Sequence, residues 1–180
     1  MLITIDGLVT GRREYGDTSC FIDIFTGEYG VIEVLAKGVK KLNSPLAQPT
    51  GLFAYSSFCL NKSNLKYTIN SAKCKHVFHA ISHDLTSFAL AAYFAELVKY
   101  TQLPEQSSVS VLKAMLIALT ELEHNEPHDS VKSKFEFELI DALGISHADL
   151  NPEHTEKHLL YHLGRGFKTL DYFKSLKNFY

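Results

Sequence analysis

Lys37, Lys40 and Lys41 fall within the five positions 37–41 around Gly38, directly after a short apolar run. Ammonium groups delivered on a flexible loop are a plain device for neutralising a phosphate backbone. The same triplet also suits an ordinary solvated loop, so its surroundings decide what weight it carries. No Asp or Glu occurs between Glu33 and Asp84, and that interval holds Lys37, Lys40, Lys41, Lys62, Lys66, Lys73 and Lys75. Tyr15, Phe53, Tyr55, Phe58 and Tyr67 are interleaved with these cations. Lysines that track phosphates and rings that stack bases together hold single strands, at roughly 1–3 kcal/mol per stacked base. The competing use of the rings is core packing, which is expected at least of Phe53 and Phe58.

Nine histidines raise the question of a metal. Cys74, His76, His79 and His83 lie within ten residues, with the three histidines read onto one helical face. His154, His158 and His162 follow an i, i+4, i+8 spacing. A structural zinc site pairs two local ligands with two from a distant segment, and no second Cys/His pair with the spacing of the first cluster stands out. Packed or solvent-facing stripes are therefore expected, with no metal and no other cofactor. Cys20, Cys59 and Cys74 are odd in number and contain no CxxC, which argues against a disulfide framework. GxSxG, GxxxxGK[ST], HExxH and a Gly-rich strand-to-helix turn are all absent. Glu136, Glu138 and Asp141 read as the solvated face of one helix. No catalytic residue is assigned, and the chain reads as a binding protein, not an enzyme.

The elements that must position these residues divide in two. The composition is that of a globular protein, with 46% hydrophobic and 21% charged residues and a net charge of −2. No apolar run approaches the roughly 20 residues of a membrane span, and the N-terminal residues lack a basic region followed by an apolar one. A cytoplasmic location without membrane contact is expected. From Leu2 to Ala80, nine Lys/Arg face six Asp/Glu, whereas from Ile81 to Tyr180 nine face fourteen. With the change of hydrophobic period at Cys74, this split predicts domains at 1–75 and 76–180. Short β-branched and aromatic runs predict strands opening at Leu2, then at residues 21–25, 31–36, 53–60 and 65–69. Five short strands within so few residues suit a small closed barrel, since closure removes exposed edges. Three- and four-residue apolar spacings predict helices over 84–101, 107–123, 131–143, 153–163 and 169–179. Asp84 is the expected N-cap of the first of them, and Gly144 stops the third.

Several motifs occur in a telling order. Tyr15-Gly16-Asp17-Thr18-Ser19 is followed by Phe25-Thr26 with Gly30, then Ala36-Lys37-Gly38-Val39-Lys40-Lys41, Ser44 and Gln48-Pro49. Tyr93-Phe94-Ala95-Glu96-Leu97, Phe135-Glu136 and Leu143-Gly144 come later, and a leucine-bearing tail with Gly164 closes the series. In this order, over most of the chain, the sequence resembles the RecO family of bacterial recombination-mediator proteins.

The resemblance implies an α+β, multi-domain protein: a five-stranded OB-fold barrel followed by an all-α helical domain. It implies binding of single-stranded DNA, annealing of complementary strands, and work with RecR and the single-stranded-DNA-binding protein to load RecA. Nucleoid association during repair follows from the same likeness. Lys37, Lys40 and Lys41, with Arg13, carry the DNA-contacting role by motif match, and Lys62 and Lys66 join them from the acid-free interval. The acidic tail of the single-stranded-DNA-binding protein is expected in a basic and apolar groove of the helical domain involving Lys132, Lys134, Arg165 or Lys168. One departure is visible. Many family members carry an insert, often with four zinc-binding cysteines, after the F-E…L-G helix, whereas here residues 145–152 bridge that interval without a cysteine. The competing functional class is a protein–protein adaptor of the same fold with weak or no DNA binding, and a histidine-based metalloenzyme stands third.

Overall fold

The computed structural model describes residues 1–64, 66–146, 151 and 154–177. It has two compact units, one of residues 1–77 with 102–109 and one of residues 78–101 with 110–180.

The first unit holds β1 (Leu2–Tyr15), β2 (Ser19–Thr26), β3 (Gly30–Ala36), β4 (Ala54–Ser63) and β5 (Lys66–Val77). They form a closed barrel in the order β1-β2-β3-β5-β4. All pairings are antiparallel except β3 with β5, which run parallel over Val34↔Tyr67 and Leu35↔Thr68. β1 pairs with β4 through its first half and with β2 through its second, and its register shifts between Val9 and Gly11. A bulge of this kind bends a strand so that one element closes both sides of a barrel. Alternate residues fill the interior, among them Val9, Ile22, Val34, Phe58, Leu60 and Ile69.

Several strand limits differ from those the sequence predicts: β2 and β3 start earlier, β4 runs on to Ser63, and two differences have a clear physical cause. Phe53 takes a left-handed φ of 60° that no strand residue adopts, so β4 starts at Ala54. β5 continues to Val77, because Ala54 to Ser56 of β4 offer a partner as far as that residue. His76 is therefore a strand residue, while His79 and His83 bound a separate 3₁₀ helix, His79–His83. The expectation that the three share a helical face is corrected accordingly. Leu65, the expected start of the fifth strand, lies outside the described residues.

Residues 102–109 belong to this unit although a helix precedes them. The Glu105 N–H donates to the Tyr29 carbonyl at 2.8 Å and the Ser108 N–H to the Gly27 carbonyl at 2.8 Å. Gly30 has φ +62°, and a Cβ there would stand 2.2 Å from the Leu103 carbonyl oxygen. Only glycine serves both the left-handed turn and that close approach.

The second unit contains α1 (Leu85–Thr101), α2 (Val109–Glu123, from Ser110), α3 (His128–Ala142), α4 (Thr155–Leu163) and α5 (Lys168–Lys177). The Asp84 carboxylate caps α1 by accepting the Ser87 N–H at 2.7 Å. Gly144 and Gly164, at φ 67° and 68°, follow the ends of α3 and α4. The core centres on aromatic rings: Phe94 and Phe135 lie 4.3 Å apart by centroid, and Tyr93 meets Phe167 edge-on at 6.1 Å. The protein is thus of the α+β class, a strand unit and then a helical one. Glu153 and Phe179, placed by the sequence in the last two helices, lie outside the described residues, as does part of the 145–152 bridge.

Glu136 corrects a further expectation. It is fully buried, while Glu138 and Asp141 are exposed. Its carboxylate accepts the Tyr93 hydroxyl at 2.8 Å, the Thr155 hydroxyl at 2.7 Å and the Lys132 ammonium at 3.2 Å. Burial, then the neighbouring Glu136 charge, pushes the Tyr93 hydroxyl far above the usual tyrosine range. Phe135 and Leu139 mark the apolar face of α3, but nothing in the spacing of its acids announces that one of them is inward.

Candidate nucleic-acid interface

The lysine loop leaves β3 at Ala36 and turns at once. Gly38 adopts φ +67°, its N–H donates to Ser19 Oγ at 3.3 Å, and the Lys40 N–H donates to the Thr18 carbonyl at 2.9 Å. Val39 is buried and joins the barrel core, while Lys37, Lys40 and Lys41 on either side are exposed. One apolar anchor thus fixes a loop whose cations face outward. Beyond Leu35↔Thr68, β3 and β5 no longer pair, and the loop and β5 bound a cleft of about 430 Å³. Lys37, Lys41, Asn43, Ser44, Asn70 and Ser71 provide its polar lining, which includes no carboxylate among the described residues. Asn70 lies at the register shift of β5 opposite Cys59 and Leu60, a kind of irregularity that re-aims side chains beside binding sites.

The six cations expected to contact DNA are not equivalent. Arg13 pairs with Glu33 at 3.0 Å and Lys40 with Glu14 at 3.3 Å. Lys62 pairs with Glu105 at 3.1 Å, with its ammonium over the Tyr67 ring at 5.3 Å from the centroid. Among the described residues, Lys37, Lys41 and Lys66 have no carboxylate within ion-pairing distance. Lys75, from the same acid-free interval, meets Asp6 at 2.5 Å, and that hydrogen bond holds its ammonium above the usual lysine range. The interval is acid-free in sequence but not in space, because Asp6, Glu14 and Glu105 are brought to it from outside. Lys37 and Lys41 alone combine exposure with the cleft.

Of the interleaved aromatics, Phe53, Phe58 and Tyr67 are core, Tyr55 is half-buried beneath Lys75, and Tyr15 is exposed. Phe21, absent from the sequence-derived set, touches Tyr15 with ring centroids 4.8 Å apart. The signal for it was strand parity, since Cys20 and Ile22 point inward and Phe21 must point out.

In the helical unit the four expected partner-contacting cations do not gather. Lys132 is corrected outright: it is buried, and its ammonium meets Glu136 at 3.0 Å and Glu156 at 2.8 Å. Lys134 pairs with Glu121 at 2.8 Å beside a groove of about 430 Å³ between α2 and α3, lined also by Ile117, Ala118 and Phe135. Arg165 lies 4.9 Å from the centroids of both Tyr100 and Phe167, beside Glu96, and Lys168 is exposed at the start of α5. Among the described residues, no group of three His, Cys, Asp or Glu side chains is arranged to hold a metal ion. No helix among them is long and apolar enough to cross a membrane.

A closed barrel of order β1-β2-β3-β5-β4, with β3 and β5 parallel, has the topology of an OB fold. Joined to a helical unit, it defines the class of the protein. Residues 1–78 match the family described as "Recombination protein O N terminal". The chain is 30% identical over 146 residues to the DNA repair protein RecO of Alkaliphilus metalliredigens, a match that covers 81% of the chain and 59% of the relative. The RecO protein of Bacillus subtilis is 28% identical over 145 residues, 81% of the chain and 57% of the relative. For Desulfitobacterium hafniense strain DCB-2 the match is 30% over 139 residues, 77% and 50%. The chain is thus similar to the RecO proteins, and its first 78 residues match that family's N-terminal model. It spans less than two thirds of the length of these curated relatives.

Proposed function

We propose that this chain is a non-enzymatic DNA-repair and recombination mediator that binds single-stranded DNA and anneals complementary strands. The observation that carries the reading is the convergence of Lys37 and Lys41 on a cleft of the OB barrel that, among the described residues, is lined by no carboxylate. Phosphate oxygens accept hydrogen bonds from the two ammonium groups, and Asn43, Asn70 and Ser71 offer amides and a hydroxyl to sugar or base edges. Lys66 adds a third unpaired cation. Lys40, Lys62 and Arg13 contribute only by exchanging a carboxylate for a phosphate. Neutralising part of each backbone lowers the repulsion between two strands, which is what annealing needs from a protein.

The helical unit recruits protein partners, RecR and the acidic tail of the single-stranded-DNA-binding protein, so that RecA is loaded on the delivered strand. Lys134 beside its apolar groove, with Arg165 and Lys168, is the proposed contact set for the tail. The site of action is the cytoplasmic nucleoid. The test is a titration of fluorescent single strands, with and without RecR, together with annealing of complementary oligonucleotides by the wild type and by the Lys37→Ala/Lys41→Ala variant. Loss of both activities in the variant is expected. Unchanged binding with an unchanged salt dependence rejects the lysine cleft. Affinity for the acidic tail peptide without any for single strands selects a protein–protein adaptor instead.

A further inference from the structure

Lysines attract any polyanion, so the cleft does not by itself distinguish a single strand from a duplex. That distinction requires a surface that engages unstacked bases. Tyr15 is 53% exposed, and among the described residues no other Phe or Tyr of the barrel unit is as open to solvent. Its ring contacts Phe21 at 4.8 Å between centroids, tilted by 60°. The Arg13 guanidinium lies over the Phe21 ring, 4.9 Å from its centroid, and is held there by Glu33 at 3.0 Å. All three side chains are on the outside of the barrel, because Cys20 and Ile22, the neighbours of Phe21, point into the core.

Register orders this outer face. Tyr15 pairs with Ser19 at the end from which the lysine loop departs, Phe21 with Arg13 and Leu35 in the middle, and Asp23 with Glu33 beyond. The lysine loop thus stands at one end of this face and the two rings lie next to it. A strand drawn by its phosphates to the lysine end lays its bases over the two rings. From this we infer that Tyr15 and Phe21, braced by Arg13, form a base-stacking platform that gives the lysine cleft its preference for single strands. The inference rests on the proposed DNA-binding reading and assigns Arg13 a bracing role instead of a direct phosphate contact.

The full chain contains no tryptophan, so Tyr15→Trp introduces a lone fluorescent reporter. An oligothymidylate is expected to quench it on binding, whereas an abasic oligomer of equal length leaves its emission unchanged. Tyr15→Leu and, separately, Phe21→Leu are expected to weaken binding of the base-bearing strand by about five- to a hundred-fold, the range of one lost stacking contact. Both should leave affinity for the abasic strand, affinity for duplex and the salt dependence as in the wild type. Using an exposed hairpin position and a half-buried strand position protects the result from a folding defect in either variant. Equal weakening of abasic and base-bearing strands, or no quenching of the reporter, overturns the platform while the lysine reading stands. Failure of the wild type to bind any strand overturns both.

Discussion

Lys132→Met tests whether a cation read from sequence as a partner contact is instead a structural member of the helical core. The Lys132 ammonium lies between Glu136 at 3.0 Å and Glu156 at 2.8 Å, and Glu136 is fully buried. Removing one partner from a buried pair leaves the other charge unsolvated, which typically costs about 3–5 kcal/mol. Here the Tyr93 and Thr155 hydroxyls still donate to Glu136, and Lys174 still pairs with Glu156. The lower end, about 3 kcal/mol, is expected for Lys132→Met. Glu136→Gln keeps shape and one acceptor, and Lys132 retains Glu156, so a loss of about 1–2 kcal/mol is expected. The double variant removes both charges together and should fall short of the summed losses by about 1–2 kcal/mol, the coupling of two groups in contact. Urea unfolding followed by helical circular dichroism measures all three, provided the slope with denaturant is unchanged. A Lys132→Met protein within about 0.5 kcal/mol of wild type, with its defect confined to affinity for an acidic peptide, refutes the reasoning and restores the surface role.

Three further outcomes are expected. In single-strand titrations against salt, Lys37→Ala and Lys41→Ala should each flatten the slope of log K by about 0.7, while Lys40→Ala and Lys62→Ala, already matched by Glu14 and Glu105, change it less. Gly30→Ala should destabilise the barrel unit by at least about 1–2 kcal/mol through its left-handed φ alone, and the 2.2 Å approach to the Leu103 carbonyl should make residues 102–109 exchange amide hydrogens faster. Burial raises the Glu156 pKa, but hydrogen bonds from Lys132 and Lys174 outweigh it, so the carboxyl titrates below its ordinary value of 4.5. A depressed pKa contributes stability that is present above the ordinary value and lost as pH falls through the folded one. Lys174→Ala should therefore shrink the acid-side loss of stability below pH 4.5, as read from unfolding midpoints across pH.

Legibility in the sequence followed the strength of the local signal. The barrel strands were readable because β-branched residues alternate with outward ones, and Asp84 because a capping acid precedes an apolar helix. Val77 as the end of β5 was not, since Lys73 to His76 carry no apolar alternation and only β4 gives them a partner. The lysine loop was visible as composition, but its ranking was not. Glu14 lies on β1 and Glu105 on a segment that returns after α1, so neither counter-ion is near in sequence. Glu136 was misread because an acid facing inward is set by Tyr93, Lys132 and Thr155, two of them on other helices or at their ends.

On the proposed reading, the same pairing limits how tightly the barrel can hold a strand. If only Lys37, Lys41 and Lys66 neutralise phosphates, the salt slope is about −2 for a single strand, far from that of proteins with six to ten contacts. Between 50 and 200 mM salt that amounts to roughly a twenty-fold loss of affinity, against a thousand-fold or more for a strongly basic binder. A protein that anneals must let go of the product, and strands held by few charges and by unstacked bases lose the second of these holds on pairing. On the proposed reading, base stacking within the new duplex would withdraw the bases from Tyr15 and Phe21 and leave only the lysine contacts. Lys40 and Lys62, kept on Glu14 and Glu105, would then serve release as much as binding, because each carboxylate is ready to reclaim its cation.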